Sequence, residues 1–313
     1  MNQKQWKTSY FLYLGSYLLL LLMAAFVPLF SLLAVFFLPI PIVLLYVHFR
    51  GTHFYIGSLI IIVVSVVIAP LISIPLTVIA LLSGIFIANS ITKKHHPYET
   101  WSKGTLGYLL GFVAVYAYIE LILGVSIKEM YIDAMDDSLK MTEELMGSVG
   151  VFQFSLEEMN LIREQMMAFL QLIPIVLVAV AMCFAILTQW LTYKWLNRSA
   201  KEAYRFPPFR NFQLPKLILW IYFLTLLLSI MTVNTENATV NMAILNVSHL
   251  AGILLVLQGL SFIFHYSYVK KQSKALPIVS IVILVFFPML GLYLMRILGI
   301  IDLGFELKKR ISK

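Results

Sequence analysis

Two ionisable residues lie inside long apolar runs of this chain: Glu120, in Tyr116-Ala-Tyr-Ile-Glu120, and His249, in Asn246-Val-Ser-His249. Charge inside a bilayer is expensive, so an intramembrane carboxylate or imidazole is by default a candidate site with a partner to be found. Such a pair can bind a cation, relay a proton or grip a polar solute, with Asn246 as a neutral hydrogen-bonding companion. The structural alternative is that Glu120 reaches interfacial water while His249 bonds a nearby tyrosine, asparagine or serine. Arg296 and Asp302, with Gly299 between them, suggest an ion pair across a helix break that holds structure rather than substrate. Pro39 and Pro41, in Leu38-Pro-Ile-Pro41, remove two backbone donors and free carbonyls inside an apolar run. Irregular backbone at membrane depth needs protein or a cavity to line it, so these prolines either face a binding site or kink a packed helix.

Signatures of catalysis are missing from the sequence: there is no Walker loop, nucleophile elbow or HExxH, so no enzymatic activity is expected. His95-His96 adjoins Lys93-Lys94 in a polar loop and reads as solvated, and a single cysteine, Cys183, excludes an intramolecular disulfide and a cysteine-cluster metal site. No metal and no cofactor are expected.

The elements that must carry these residues are apolar and long. Hydrophobic residues make up 61% of the chain, charged residues 12%, and the mean hydropathy is +0.90, values that describe a polytopic membrane protein rather than a water-soluble domain. A span needs about 20 apolar residues, and such stretches occur near 9–30, 32–49, 54–70, 72–92, 105–126, 166–193, 216–233, 242–268 and 275–296. Their apolar residues do not alternate, so they read as helices rather than barrel strands, giving an all-α membrane bundle of eight or nine spans.

Charge orients the bundle. Residues 127–166 carry a net −6 and the remainder of the chain +14. Basic loops stay cytoplasmic, which puts the N-terminus, His48–His53, Lys93–Lys103, Lys194–Lys216 and Lys270–Lys274 inside and the acidic insert outside. This pattern fits juxtamembrane contact with anionic lipid, not nucleic-acid binding. The C-terminus is ambiguous, because a ninth crossing would export Lys308, Lys309, Arg310 and Lys313. A broken or re-entrant hairpin in Ala275–Phe305, punctuated by Pro288, Gly291 and Gly299, would return the tail to the cytoplasm.

Within the insert, Tyr131, Met135, Leu139 and Met146 share a helical face, Gly147-Ser-Val-Gly150 predicts a break, and Ser155-Leu-Glu-Glu158 predicts a capping box opening a second helix that continues into the span with Pro174. The insert reads either as a lid over an outward-facing cavity, with its methionines as an adaptable face, or as a solvated hairpin at the membrane surface.

The order of these features resembles the YybS-like family of bacterial membrane proteins. The resemblance rests on Leu38-Pro-Ile-Pro41 followed by His48-Phe-Arg-Gly51, Phe206-Pro-Pro-Phe-Arg210 with Leu214-Pro-Lys-Leu217, Leu257-Gln-Gly-Leu260, and Leu298-Gly-Ile-Ile-Asp302 before Lys308-Lys-Arg310. Through that family, residues 1–193, including the insert at 127–165, are similar to the six-helix substrate-binding S-components of energy-coupling-factor transporters. Residues 194–216 would then be a basic cytoplasmic loop, and 217–313 additional helices with a basic tail. The first span offers Gly15, Ser16, Ala24 and Ala25 without the small-residue spacing by which S-components dock their ATPase module. The resemblance implies a multi-pass protein of the bacterial cell membrane that binds or transports a small molecule from the outer side. The alternative is a scaffold or regulator that binds protein partners at its basic cytoplasmic loops.

Overall fold

A computed structural model describes residues 3–149, 155–199, 203–232 and 237–311, and every regular element among them is helical. In order these are α1 (Gln3–Phe26), α2 (Pro28–Phe37), α3 (Pro39–His48), α4 (Thr52–Val67), α5 (Pro70–Thr92), α6 (Pro97–Ala117), α7 (Ile127–Val149), α8 (Leu156–Leu170), α9 (Ile173–Ser199), α10 (Leu217–Thr232), α11 (Ala238–Val269), α12 (Ala275–Phe286), α13 (Pro288–Phe305) and α14 (Leu307–Ile311). A π-helical turn, Tyr118–Ile122, follows α6, and a 3-10 turn, Phe209–Asn211, precedes α10. Five helices open on proline, namely Pro28, Pro39, Pro70, Pro97 and Pro288. Proline suits that position because its fixed φ is helical and its missing N–H would have had no intrahelical partner.

Six of the described helices are long and apolar enough to cross a membrane: Lys7–Phe26, Pro70–Thr92, Pro97–Ile122, Ile173–Arg198, Thr239–Val269 and Pro288–Phe305. Shorter apolar helices cover Leu33–His48, Thr52–Val67, Leu217–Thr232 and Ala275–Phe286. The chain forms two compact units, one of Met1–Leu170 with Val176–Phe206 and the other of Gln171–Ile175 with Pro207–Lys313. Their boundary falls inside the basic stretch expected as one loop, the first part of which is the end of α9.

In the first unit, α5 and α6 run antiparallel and meet through glycine. A methyl group on Gly107 would stand 2.8 Å from the Ser83 Cα, and one on Gly111 would stand 2.9 Å from the Ile79 Cα. Small residues of this kind let backbones approach closely enough for dispersion to hold helices together where lipid cancels the hydrophobic effect. Tyr17, Leu21, Leu38, Ile42, Leu45 and Tyr108 are fully buried in this unit. Its buried hydroxyls are chained, Tyr17 donating to Thr77 at 2.8 Å and Thr77 meeting Ser65 at 2.7 Å.

The acidic insert is a helical hairpin closed on itself, with the Tyr131 hydroxyl on the Met166 carbonyl at 2.7 Å and Arg163 paired with Asp136 at 3.1 Å. Its capping box is present, since the Ser155 amide donates to Glu158 at 2.8 Å and the Glu158 amide donates to the Ser155 hydroxyl at 3.2 Å. Two boundaries differ from expectation. Helix α7 passes through Gly147 to Val149, while Gly150 lies outside the described residues. Helix α8 also stops at Leu170, and a turn at 171–172 precedes α9. Pro174 explains the turn, because a proline is tolerated in the first turn of a new helix and not in the interior of a long one.

In the second unit, α10 is antiparallel to α11: Leu214, ahead of α10, reaches Gln258, while Tyr222, further along, packs with Ala251. Helix α13 runs parallel to α11, since Gly252 faces Arg296, Gly299 faces Leu255, Gln258 bonds Asp302 and Ser261 bonds Lys308. Between them α12 runs back, and Gly291 lies against the Leu284 backbone at the reversal around Phe287. With 12 residues, α12 is about 18 Å long and too short to cross a hydrocarbon core of about 30 Å. Helices α12 and α13 form a hairpin broken at Phe287, and it brings α14 back beside Lys216, which pairs with Glu306.

Candidate functional site

Glu120 sits half-buried in the π-helical turn, where Leu123 N–H reaches back to the Tyr118 carbonyl at 3.2 Å and the Tyr116 hydroxyl is hydrogen-bonded to the carboxylate. His249 is exposed on α11 and belongs to the other unit. Asn246 is occupied: its Nδ2 donates to the Gln171 and Met242 carbonyls at 2.7 and 2.8 Å, and its Oδ1 accepts from Ile175 N at 3.2 Å. That last bond satisfies one of the orphan amides in the first turn of α9. Asn246→Ala therefore takes this side-chain partner from the Ile175 amide and the Gln171 carbonyl and is expected to cost about 1–3 kcal/mol, read as a lower thermal midpoint in detergent.

Pro39 and Pro41 are buried, and Leu38 keeps helical angles (φ −58, ψ −36), so the chain kinks at this point without unwinding. The carbonyl of Val35, which Pro39 cannot serve, accepts from the Tyr108 hydroxyl at 3.2 Å, and that of Phe36 accepts from Thr188 at 2.8 Å. Tyr108 and Thr188 also bond each other at 2.6 Å. Side chains of the packed core thus line the irregular backbone. The two loop histidines are likewise engaged, His95 with Lys103 at 2.7 Å and His96 as the N-cap of α6, accepting from Tyr98 N–H.

The expected Arg296–Asp302 ion pair is not the one formed, because α13 continues unbroken through Gly299 and holds the two side chains apart along its length. Asp302 instead pairs with Lys308 at 3.6 Å. Arg296 packs beneath Gly252 and donates to the Tyr222 hydroxyl at 3.4 Å, while its Nε is buried and without a hydrogen-bond partner.

Around the Asp302–Lys308 pair the second unit gathers a buried polar cluster. The Asp302 carboxylate accepts from Gln258 Nε2 at 2.6 Å and from the Lys308 amide at 3.0 Å. The Lys308 ammonium donates to the Phe212 carbonyl at 2.6 Å and to Ser261 at 2.8 Å. Gln258 Oε1 accepts from Leu214 N–H at 2.9 Å, and Ser261 donates to the Phe209 carbonyl at 2.7 Å. The His265 ring bonds the backbones of Arg210 and Lys308. One turn of α14, the segment 209–214 and α11 are therefore tied together at the end of the hairpin. Burial pulls the Lys308 ammonium down from the usual lysine range to about 8, against the opposing pull of Asp302.

Next to this cluster lies a recess of about 370 Å³ lined by Lys216, Gly304, Phe305, Glu306, Lys309 and Arg310. Glu306 bridges Lys216 and Lys309, which hold its carboxyl well below the usual range.

Gln258, Ser261 and Lys308 were not among the residues that sequence reasoning selected. A signal was available, since Gln258, Ser261 and His265 recur at helical spacing in the second half of α11. Lys308 looked like one more tail charge, and only the hairpin brings it to α11. Among the described residues, no group of three or more His, Cys, Asp or Glu side chains is placed to hold a metal ion.

No solved structure matches this chain. The protein given as "Uncharacterized protein YybS" of Bacillus subtilis (strain 168) is 26% identical over 295 residues, covering 93% of each chain. A family model matches residues 16–303, and the chain belongs to that family, the predicted membrane proteins designated DUF2232.

Proposed function

We propose that this chain is a small-molecule binding or transport protein of the bacterial cell membrane. In this reading it has eight crossings plus the α12–α13 hairpin, with both ends cytoplasmic. Six crossings come from the first unit, for which the family resemblance implies an S-component-like core, and α10 and α11 supply the other two. The acidic hairpin α7–α8 then lies outside as a lid, and the solute arrives from that side.

The observation that supports it best is the hairpin itself. Discontinuous helices at membrane depth are a recurring way to build solute sites, and this one carries Arg296, an intramembrane cation whose Nε has no partner within the described residues. A guanidinium so placed suits a solute bearing a carboxylate or another anionic group. Glu120 and His249 remain candidates for a coupling cation or proton.

The test is thermal stability of the purified protein against vitamins, nucleobases, amino acids and divalent ions, since a ligand that binds only the folded state raises the midpoint. A shift of several degrees that Arg296→Gln, Glu120→Gln or His249→Ala removes supports transport and identifies the solute class. A second reading, a scaffold or regulator that binds protein partners at its basic face, is favoured by the cationic recess beside α14. An absence of any shift, together with partner capture that charge reversal at Lys216 and Arg310 abolishes, would replace the first reading with the second.

A further inference from the structure

We propose that the recess at the inner end of the second unit is a binding site for the phosphodiester headgroup of an anionic phospholipid. Lys216, Lys309 and Arg310 face it against a single carboxylate, Glu306, leaving a surplus of positive charge. Glu306 uses one direction of each lysine ammonium and keeps both lysines at the rim. Each ammonium has three donors, so both retain N–H groups for a ligand. The Arg310 guanidinium makes no hydrogen bond or ion pair among the described residues and offers the planar fork that suits a phosphate. Gly304 keeps the floor open, because a methyl group there would meet nothing nearer than Leu219 at 3.8 Å.

The surroundings select a lipid over a soluble anion. The recess lies where apolar helix α10 begins and α13 ends, and the side chains beside it are exposed and apolar: Leu217 at 64%, Trp220 at 69% and Phe305 at 60%. Phe305 is itself part of the lining. A headgroup held by the three cations therefore has apolar helix surface next to it on which its acyl chains can lie. Contiguous apolar surface rimmed by charge is the pattern of a lipid contact, and a tryptophan near the end of a span is typical of the interface. The site requires no particular transported solute and stands or falls separately from the transport reading.

The experiment is native mass spectrometry of the detergent-purified full chain with phosphatidylglycerol or phosphatidylcholine added in turn, supported by thermal midpoints. Phosphatidylglycerol adducts are expected to persist on collisional activation where phosphatidylcholine adducts do not. At about 1 kcal/mol for each basic residue near an anionic group, Lys309→Gln with Arg310→Gln should bind phosphatidylglycerol about thirtyfold more weakly. Gly304→Leu should fill the recess and have the same effect with the thermal midpoint retained. Lys140→Gln, on the exposed acidic hairpin, should change nothing. Equal retention of both lipids, or undiminished retention in the double variant, overturns the proposal. So does stabilisation by inorganic phosphate that phosphatidylglycerol fails to reproduce, which would make the recess a site for a soluble anion.

Discussion

Gly299→Leu is expected to abolish the packing of α11 on α13 and to yield protein that is aggregated or melts far below wild type. A side chain on Gly299 would run into the Leu255 carbonyl, and one on the facing Gly259 would run into the Met295 carbonyl. Both obstacles are backbone, so no rotamer change relieves them and the helices must separate along their whole contact. Overpacking a core costs about 1–3 kcal/mol and more where nothing can yield. A loss above about 3 kcal/mol is the expectation here. Gly304→Ala, on the same helix and facing open space, is the control and should be neutral or slightly stabilising through helix propensity. The measurement is size-exclusion monodispersity and thermal midpoint in one detergent. A Gly299→Leu protein that melts like wild type would refute the parallel packing of these helices.

The second large effect concerns the buried pair. Asp302→Asn strands the Lys308 ammonium, and Lys308→Met strands the Asp302 carboxylate, each expected to cost about 3–5 kcal/mol because a buried charge loses its partner. The double variant should recover most of that loss, since replacing both members of a buried pair is often close to neutral. A double-mutant cycle on thermal or denaturant unfolding reads the coupling directly.

Dependence on pH adds an independent signature. The Lys308 pKa falls from 10.5 to about 8 on folding, so below pH 8 the ammonium is protonated in both states. Between about 8 and 10.5 the unfolded chain binds more protons, and stability therefore rises with pH by at most about 1.4 kcal/mol per unit. Wild type should gain stability across that window relative to the double variant, which lacks the group. Parallel pH profiles would mean that Lys308 is not buried.

Both predictions depend on the hairpin, and the hairpin shows how far the sequence can be read. Local chemistry was legible. Apolar runs of span length became helices, Ser155 and Glu158 formed their capping box, and Pro288 opened a helix, because hydrophobicity, capping and proline stereochemistry act over a few residues. The irregular segment Leu38–Pro41 was also visible in sequence, but the carbonyls of Val35 and Phe36 just before it are served by Tyr108 and Thr188, about 70 and 150 residues away. The partner of Asp302 was misassigned to Arg296 for the same reason, its true partner Lys308 being brought in by the fold. Arg296, Lys308, Lys309 and Arg310 were all near in sequence, and the choice among them was made by the reversal at Phe287 and the one-turn α14 that carries Lys308 back to Ser261 and Phe212.

Composition and charge pattern by themselves determined that this protein is an all-helical membrane protein with one strongly acidic segment among basic ones. Only the tertiary structure decided which polar groups meet, that Asn246 ties the turn before α9, and that a cationic recess forms beside α14. The physical reason is range: hydropathy and helix signals are summed along the chain, whereas a buried ion pair or a glycine contact depends on which distant segments pack together.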